Sequence, residues 1–588
     1  MFWGSPEWHF LPSLPLLTGR SGGPRPWPLL VRRVGAHAVR KRPPAAAFLL
    51  RPTFRAESPC LPALPALPYS LMAFLGLHHP VPLGNQEGHP MSSSPSHPPT
   101  ASCATILQSF LQVEGLPFAA VLTEEHCQEL FRRHGLAWES TPSPAAPTAA
   151  TPHLAAAVPV PVATLPFAPE LSPAADAAPC RNPACPTLPR CPVWTPALTL
   201  WTFLHQVLST SKACTAAVLR SVVLLTVLGG RPPSTNPGAY SKARGRLPTG
   251  LVEELSLGLA ARLEDALPEA WRWLGHRVLL VDGWVVTTPD TAENQEAYPQ
   301  PPSQKKGAGF PQVRMVGMFS RASGLLVGVK YGPCQGKETG EAALFRELFE
   351  QLRPGDVLVA DRCYGSYFLI ALLQQRGVHV VVPLQQRRKH VFGNGQALGD
   401  EDEIVVWEKP KRPEWLDEAT YASLPPTLRV RITATRVETP GFRTQYVRVA
   451  TTLLDATQYR KEAIVGLYRE RWGVEGLIRS LKTYLGMEEL RCHTPEMVAK
   501  EIWVNVLAYN LTRKIMCQAA ALHGLEPWPI SFTGTKQALA AYRQPLSTAA
   551  PAAARELGLQ LLEGLKSPLV GKRPERVEPR QVKRRPKQ

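Results

Sequence analysis

The sequence has no long apolar run and no regular cysteine pattern. Its longest apolar stretch, around residues 218–228, is interrupted by Arg220 and is too short to cross a bilayer. The eleven cysteines show no spacing typical of a disulfide framework. Cys180, Cys185 and Cys191 lie close together, but the absence of a C-x2-C pair and of a nearby histidine disfavours a zinc site. We therefore expect a soluble chain from a reducing compartment, the cytoplasm.

The sequence also lacks the signatures of several enzyme classes. No Ser/His/Asp or Cys/His combination stands out, and no glycine-rich loop precedes a helix, so ATP dependence is not indicated. The charge is unbalanced, because 65 Lys and Arg oppose 47 Asp and Glu and give a net charge of +18. An excess of this size favours polyanionic partners, although ribosomal and membrane-surface proteins share it.

The first 192 residues differ in composition from the rest of the chain. Residues 1–103 show no sustained periodicity, and we interpret them as disordered or as a spurious upstream extension. Residues 104–139 form a short helical segment, with helices predicted at 104–113 and 123–135. Residues 140–192, rich in Pro and Ala, are predicted to be a disordered linker.

Residues 193–270 are predicted to form a helical domain. A basic segment with Lys242, Arg244 and Arg246 opens its last helix, predicted at 249–263. Such a segment between helices could dock on DNA, and an ordinary helical domain with a basic loop is an equally good interpretation. At the other end of the chain we predict a helical segment and a basic disordered tail, residues 521–566 and 567–588.

Strand and helix patterns alternate within residues 271–520. The predicted order is strand 277–288, strand 313–319, strand 325–330, helix 339–352, strand 356–360, helix 366–376 and strand 378–384. Three strands joined by turns imply an antiparallel meander, and the helical crossovers imply parallel additions. This α/β order is that of a ribonuclease-H-like mixed sheet. Residues 385–452 alternate in polarity and are predicted to be a small antiparallel β insert.

Residues 468–482 are predicted to form one amphipathic helix. At about 100° per residue, a face only about 80° wide carries one carboxylate, three cations and a phenol. The five side chains are Tyr468, Arg471, Glu475, Arg479 and Lys482. Such a face suits a negatively charged polymer held beside a metal ligand. It could equally be a solvated face with ion pairs four residues apart.

Two further carboxylates follow apolar strands. Asp282 comes after the apolar run 278–281, and Asp361 comes after 357–360. The first and fourth strands of a mixed sheet can be neighbours, which would bring these carboxylates together with Glu475. Three hard oxygen ligands suit Mg²⁺ or Mn²⁺, and two such ions can activate a water or a 3′-hydroxyl at a phosphodiester. Taken singly, Asp282 could instead be a turn residue and Asp361 a helix cap.

These residues resemble the DDE transposases of bacterial insertion sequences, specifically the IS-4 family. The late motif of that family is Tyr, two residues, Arg, three residues, Glu, six residues, Lys. The matching positions are Tyr468, Arg471, Glu475 and Lys482. Residues 282–295 with 309–311 resemble the early block, and 360–365 resemble the middle block. The resemblance covers about residues 193–520, and Trp284 replaces the small residue expected after Asp-Gly.

The resemblance implies a role for each matching residue. Asp282, Asp361 and Glu475 would hold the metal ions, Mg²⁺ with Mn²⁺ able to substitute. The residues implied to contact DNA are Tyr468, Arg471, Lys482, Arg479 and Arg362. A tryptophan of the insert, Trp407 or Trp415, could stack on a flipped base, although core packing is the simpler interpretation. We expect Cys363 to be a packing residue.

The resemblance also implies the reaction. The chain would be a DNA transposase that binds the terminal inverted repeats of its own element, cleaves the ends by two-metal hydrolysis and joins the 3′-hydroxyls to target DNA. It would act on double-stranded DNA as a homodimer at the bacterial nucleoid. Two alternatives stay open: a ribonuclease-H-like nuclease without strand transfer, and a non-catalytic DNA-binding derivative of a transposase.

Overall fold

The computed structural model describes most of the chain beyond the first hundred residues. The described residues are 103–137, 193–302, 305, 307–385, 387–436 and 446–567. The predictions for the N-terminal extension, the Pro/Ala-rich linker and the basic tail lie outside them, except at Cys103 and Ser567. Within these ranges, no helix is long and apolar enough to cross a membrane.

Six α-helices precede the sheet in the part of the chain that the structure describes. They are α1 (Cys103–Ser109), α2 (Glu124–Arg133), α3 (Pro196–Leu208), α4 (Cys214–Val227), α5 (Pro237–Arg246) and α6 (Thr249–Asp265). Local chemistry explains where they begin: Thr195 caps α3 and Asn236 caps α5, each followed by proline in the first turn. The basic segment around Lys242 was predicted to lead into the next helix, but it forms a helix of its own, α5.

Nine strands form one mixed sheet. They are β1 (Val278–Thr287), β2 (Gln312–Ser320), β3 (Leu326–Pro333), β4 (Val357–Val359), β5 (His379–Pro383), β6 (Gln396–Gly399), β7 (Asp402–Glu408), β8 (Thr427–Arg436) and β9 (Tyr446–Thr451). Their order is β3-β2-β1-β4-β5-β9-β8-β7-β6. The first three pair antiparallel, and β4 and β5 add in parallel. The predicted ribonuclease-H-like order is therefore confirmed, including the contact between the first and fourth strands.

The β insert does not form a sheet apart from the main one. Its last strand, β9, pairs antiparallel with β5, so the insert extends the main sheet to nine strands. The sequence predicted the antiparallel pattern of the insert. It could not predict this pairing, because an edge strand offers the same backbone groups to any partner.

The remaining helices lie between the strands or after them along the chain. They are α7 (Ala292–Ala297), α8 (Glu341–Arg346), α9 (Tyr367–Gln375), α10 (Glu418–Ser423), α11 (Lys461–Glu470), α12 (Gly473–Arg479), α13 (Pro495–Leu522), α14 (Phe532–Thr548) and α15 (Pro551–Gly564). The predicted helix at 339–352 is shorter than expected, since α8 gives way to a 3₁₀ turn at Phe349–Gln351.

The long helix α13 is buried along most of its length and joins the helical region to the sheet. Several of its polar side chains bond to backbone groups of neighbouring segments. The Asn510 side chain accepts from the N–H of Leu326 and donates to its carbonyl, at the start of β3. Lys514 Nζ donates to the carbonyl of Leu111, beyond α1. A buried polar group costs little when it is bonded in this way.

A buried ion pair sets the register between β1 and β4. Arg277, just before β1, contacts Asp356, just before β4, with Nε to Oδ1 at 2.8 Å and Nη2 to Oδ2 at 2.5 Å. Both side chains are almost fully buried. A two-pronged contact of this kind fixes both distance and direction. It therefore aligns the two strands that carry the predicted aspartates.

Candidate active site

The structure places Asp282 within β1 and Asp361 two residues beyond the end of β4, the neighbouring strand. In the parallel pairing of β1 with β4, Leu280 is opposite Val359. Asp282 comes two residues after Leu280, and Asp361 comes two residues after Val359. Because alternate residues of a strand point to the same face, the two aspartates occupy corresponding positions. Each also bonds locally: Asp282 Oδ1 accepts from Gly283 N at 2.9 Å, and Asp361 Oδ1 accepts from Arg362 N at 2.7 Å. The turn and cap roles are thus compatible with the shared site.

The two carboxylates act on each other electrostatically. Burial raises the pKa of Asp282 to about 6, while the Gly283 N–H and the Arg471 guanidinium act in the opposite direction. The carboxylates of Glu341 and Asp361 add to the rise in the pKa of Asp282. The two carboxylates offer hard oxygen donors, and they repel each other in a half-buried site. A divalent cation would offset their negative charge, so the site suits such a cation.

This raised pKa predicts how stability depends on pH. We expect Asp282→Asn to raise the free energy of unfolding at pH 7 by the order of 3 kcal/mol. The carboxyl titrates at 3.8 in an unperturbed chain and at about 6 in the fold, so its ionised form destabilises the fold above pH 6. That destabilisation is lost as the pH falls from 6 towards 4. Urea unfolding at pH 7, 5 and 4 should show that the difference in free energy of unfolding between the variant and the wild type shrinks as the pH falls. A difference that stays constant would contradict the prediction.

Two residues of the late motif lie beside these carboxylates. Arg471 Nη1 is 3.7 Å from Asp282 Oδ2, and its side chain is largely buried. The Tyr468 phenol is also buried, which raises its pKa, and it lies within the electrostatic reach of Arg471, Asp361 and Arg362. The structure therefore brings Tyr468, Arg471 and Arg362 to the two aspartates.

The prediction of one regular helix at 468–482 is wrong. Helix α11 ends at Glu470, α12 begins at Gly473, and a π-helical turn follows at Ser480–Tyr484. Gly473 and Gly476 both weaken helix propensity in this stretch, and a π-helical turn shifts the positions that follow it. The predicted face of five side chains is therefore not a single stripe.

Lys482 of the late motif lies apart from the carboxylate pair. Lys482 Nζ is 3.4 Å from Glu488 Oε1, and the Glu488 carbonyl accepts from the N–H of Thr287 at the far end of β1. At about 3.3 Å per residue, that end is about 17 Å from Asp282. Arg479 is exposed on α12. Lys482 is thus placed along β1 from Arg471 rather than beside it.

Glu475 is exposed on α12, and α12 packs against β1. The charged groups that act on the pKa of Asp282 include Arg471, Glu341 and Asp361. In the part of the chain that the structure describes, no three His, Cys, Asp or Glu side chains are grouped to hold a metal ion. The third predicted ligand is thus near the strand that carries Asp282 without being assembled with the pair.

Sequence reasoning missed Glu341, the first residue of α8. A Cβ added to Gly283 would lie 2.5 Å from Glu341 Cδ, so the glutamate occupies the space beside that glycine. From the sequence, Glu341 is an ordinary acidic residue in the first turn of a helix. The local pattern carries no signal that it lies beside a glycine of β1.

Three other predicted residues have clear placements. Cys363, expected to be a packing residue, is exposed. Trp407 is buried in β7 with the Arg388 guanidinium 3.9 Å from its ring centroid, and Trp415 is partly buried under Arg346. Both tryptophans therefore contact arginines of this chain.

Trp284, which stands where the family has a small residue after Asp-Gly, fits within the sheet. Trp284 is buried, and a Cβ added to Gly317 of β2 would come within 2.9 Å of its ring. The large side chain is therefore matched by a glycine on the neighbouring strand. Glycine at 317 thus provides the space that the unexpected tryptophan needs.

The basic segment of the helical region divides into two parts. Arg244 packs inward, with its guanidinium 4.9 Å from the Phe203 ring centroid and 5.2 Å from that of Tyr240. Lys242 and Arg246 are exposed. Only these two remain as candidates for an outward-facing contact with DNA.

Comparison with known proteins identifies the family of the region that carries the site. The family described as "Transposase DDE domain" matches residues 273–511. Residues 273–511 are similar to this transposase family. That region contains both aspartates, Glu341 and the whole late motif.

The resemblance to IS-4 family DDE transposases is confirmed. Transposase InsG for insertion sequence element IS4, from Escherichia coli (strain K12), is 29% identical over 365 residues, which are 61% of this chain and 79% of that protein. The cryo-EM structure of the piggyBac transposase synaptic complex with hairpin DNA is 10% identical, with a TM-score of 0.33 over 64% of this chain and 77% of that one. At so low a TM-score, the fold assignment rests on the strand order.

Proposed function

We propose that the protein is a DNA transposase that binds the inverted repeats at the ends of its own element, cleaves them and joins the 3′-hydroxyls to target DNA. The observation that carries this proposal is the placement of Asp282 and Asp361 on parallel neighbouring strands, beside Arg471 and Tyr468, within the region similar to the transposase family. Two carboxylates beside the Arg471 guanidinium suit a reaction at a phosphodiester.

The residues fit a divalent cation. Asp282 and Asp361 would hold it, since their oxygens are hard donors whose mutual repulsion a cation offsets. Glu475, on the helix packed against β1, is the proposed third ligand. Bound Mg²⁺, or Mn²⁺ in its place, would activate a water or a 3′-hydroxyl and stabilise the leaving oxygen.

Arg471 and Tyr468 would bind the DNA backbone next to the reacting phosphate. Arg471 Nε is buried and has no hydrogen-bond partner among the described residues, although the Nη1 of the same side chain faces Asp282. A buried, unpaired N–H carries a cost that an incoming phosphate oxygen would remove. The Tyr468 hydroxyl and the exposed Arg362 lie beside it and would contact the same strand.

We expect Arg479→Ala to weaken binding of duplex DNA evenly across sequences. Arg479 is exposed on α12 and is proposed to contact a phosphate. Loss of one such contact should lower the slope of log affinity against log salt concentration by about 0.9. Fluorescence anisotropy between 50 and 200 mM salt, on end-sequence and unrelated duplexes, measures that slope.

The matched control for Arg479→Ala is Arg132→Ala. Arg132 is equally an exposed helical arginine, but it pairs with Glu129 on α2. Its removal should leave the slope unchanged. An unchanged slope in Arg479→Ala would remove Arg479 from the proposed DNA surface.

A joining assay tests the proposed reaction. Labelled duplexes with the sequence of the DNA ends that flank the gene would be incubated with the full chain, Mg²⁺ and a target plasmid. A transposase yields 3′-end cleavage and covalently joined product. Cleavage without joining would support the nuclease, and binding without cleavage would support the non-catalytic derivative. A crosslinked dimer that holds two ends would support the proposed homodimer.

A further inference from the structure

We propose that Glu341 is a fourth carboxylate of the active site, which binds a divalent cation together with Asp282 and Asp361. The inference rests on the proposed function, because it assigns a further ligand to the same site. Three observations support it: the contact between Glu341 and Gly283, the position of α8, and the buried Tyr364 hydroxyl, which has no hydrogen-bond partner among the described residues.

Because Gly283 has no side chain, the Glu341 side chain can lie against β1. A Cβ at position 283 would lie 2.5 Å from Glu341 Cδ and 2.7 Å from its Cγ and Oε1. No real side chain tolerates such distances, so any residue other than glycine would displace the carboxylate. Gly283 directly follows Asp282, and its N–H bonds the Asp282 carboxylate. The Glu341 carboxylate therefore lies against the backbone of the residue that follows Asp282, in space that any larger residue would fill.

The start of α8 is anchored over the sheet. Arg314, in β2 opposite Val285 of β1, donates from Nη1 to the carbonyl of Thr339 at 2.8 Å. Gly340 follows as the cap of α8, and Glu341 is its first residue. This bond holds the chain ahead of α8 against β2, next to the strand that carries Asp282. The placement of Glu341 thus depends on the sheet and not on a mobile loop.

Tyr364 provides an independent sign that the site takes a ligand. Its side chain is 1% exposed, and its hydroxyl has no hydrogen-bond partner within the described part of the chain. The hydroxyl lies within the electrostatic reach of the Glu341, Asp282 and Asp361 carboxylates. A buried hydroxyl left unpaired is costly, and a water or hydroxide held by a cation among these carboxylates would satisfy it.

The three carboxylates are not grouped as metal ligands in the described structure. Binding would therefore draw the Glu341 side chain towards the aspartates. A glutamate can make this movement through its own rotatable bonds, without a shift of the backbone of α8. Glu341 is already close enough to the aspartates to act on the pKa of Asp282.

Mn²⁺ binding to the full chain, without DNA, tests the proposal. Free Mn²⁺ would be measured by electron paramagnetic resonance during a titration. Glu341→Gln should weaken Mn²⁺ binding by about tenfold or more, and Asp282→Asn by at least as much. Glu347→Gln is the matched control, since Glu347 is exposed at the end of the same helix. It should leave the affinity unchanged.

A double-mutant cycle tests whether Gly283 acts through Glu341. Gly283→Ala should weaken Mn²⁺ binding in the wild-type background and add no further loss to Glu341→Ala, where the clashing carboxylate is gone. Circular dichroism would verify that each variant folds. Equal losses in the two backgrounds would show that Gly283 acts independently of Glu341.

The outcomes separate this inference from the proposed function. If Asp282→Asn weakens Mn²⁺ binding and Glu341→Gln leaves it within twofold of wild type, Glu341 is not a ligand and the proposed function stands. If Asp282→Asn also has no effect, or the wild-type chain does not bind Mn²⁺, the proposed metal site fails and the role of Glu341 fails with it.

Discussion

Asp361→Asn will lower the rate of DNA-end cleavage by roughly 10³-fold or more, because a carboxylate that holds a catalytic cation contributes several kcal/mol to the transition state. Asparagine keeps the size of the side chain and an oxygen that can accept from Arg362 N, so the local cap is preserved. Only the negative charge is lost. Single-turnover cleavage of labelled end duplexes in saturating Mg²⁺ measures the effect. Glu475→Gln should show a loss of the same size, since it removes the proposed third ligand.

Asp417→Asn provides the matched control for Asp361→Asn. Asp417 caps α10 in the β insert and accepts from Thr420 N at 2.8 Å, as Asp361 caps a 3₁₀ turn. The change removes the same charge from the same kind of cap, outside the site. It should leave cleavage within about twofold of wild type. Comparable losses in Asp417→Asn and Asp361→Asn would mean that Asp361 acts as a cap and not as a metal ligand.

Arg277→Met will lower the free energy of unfolding by about 3–5 kcal/mol, because it leaves the Asp356 carboxylate buried without its cation. Arg277 also donates to the carbonyl of Gln351 at 3.1 Å, and Asp356 accepts from Arg353 N at 2.7 Å, so the pair joins three segments. Its loss weakens the alignment of β1 with β4. Urea unfolding followed by tryptophan fluorescence measures the change in stability.

The control for Arg277→Met is Arg353→Met. The Arg353 side chain pairs with Asp265, and both partners are about half exposed, at 46% and 56%. An exposed pair contributes about 0–1 kcal/mol, so this variant should unfold close to wild type. Equal destabilisation in the two variants would show that burial is not what makes the Arg277 pair important. A cleavage defect in Arg277→Met under conditions where the chain stays folded would show that the register aligns the aspartates.

Local patterns were enough to predict the strand order and the position of both aspartates. Apolar runs ending in Asp282 and Asp361 have a period and length that identify buried strands, and the helices between them leave few topologies. Parallel pairing of β1 with β4 then follows from the connectivity. The helix α5 was missed although Asn236 caps it, since its side chain bonds the N–H of Gly238.

The path of the chain through residues 468–482 was not predictable from spacing. The motif positions fit one regular helix, but α11 and α12 are separate and a π-helical turn follows them. Packing against β1 and the pairing of Thr287 with the segment around Glu488 constrain this stretch from outside. A periodicity argument assumes one unbroken helix and cannot detect such constraints.

The sequence by itself determined the charge, the order of strands and helices, and which residues could carry phosphodiester chemistry, because these depend on residue type and on neighbours close along the chain. Only the tertiary structure decided which of them meet. It joined the β insert to β5, placed Lys482 away from the aspartates, and brought Glu341 to Gly283, from which α7, β2 and β3 separate it along the chain. Those contacts depend on backbone pairing and on the space left by a missing side chain, which no local pattern encodes.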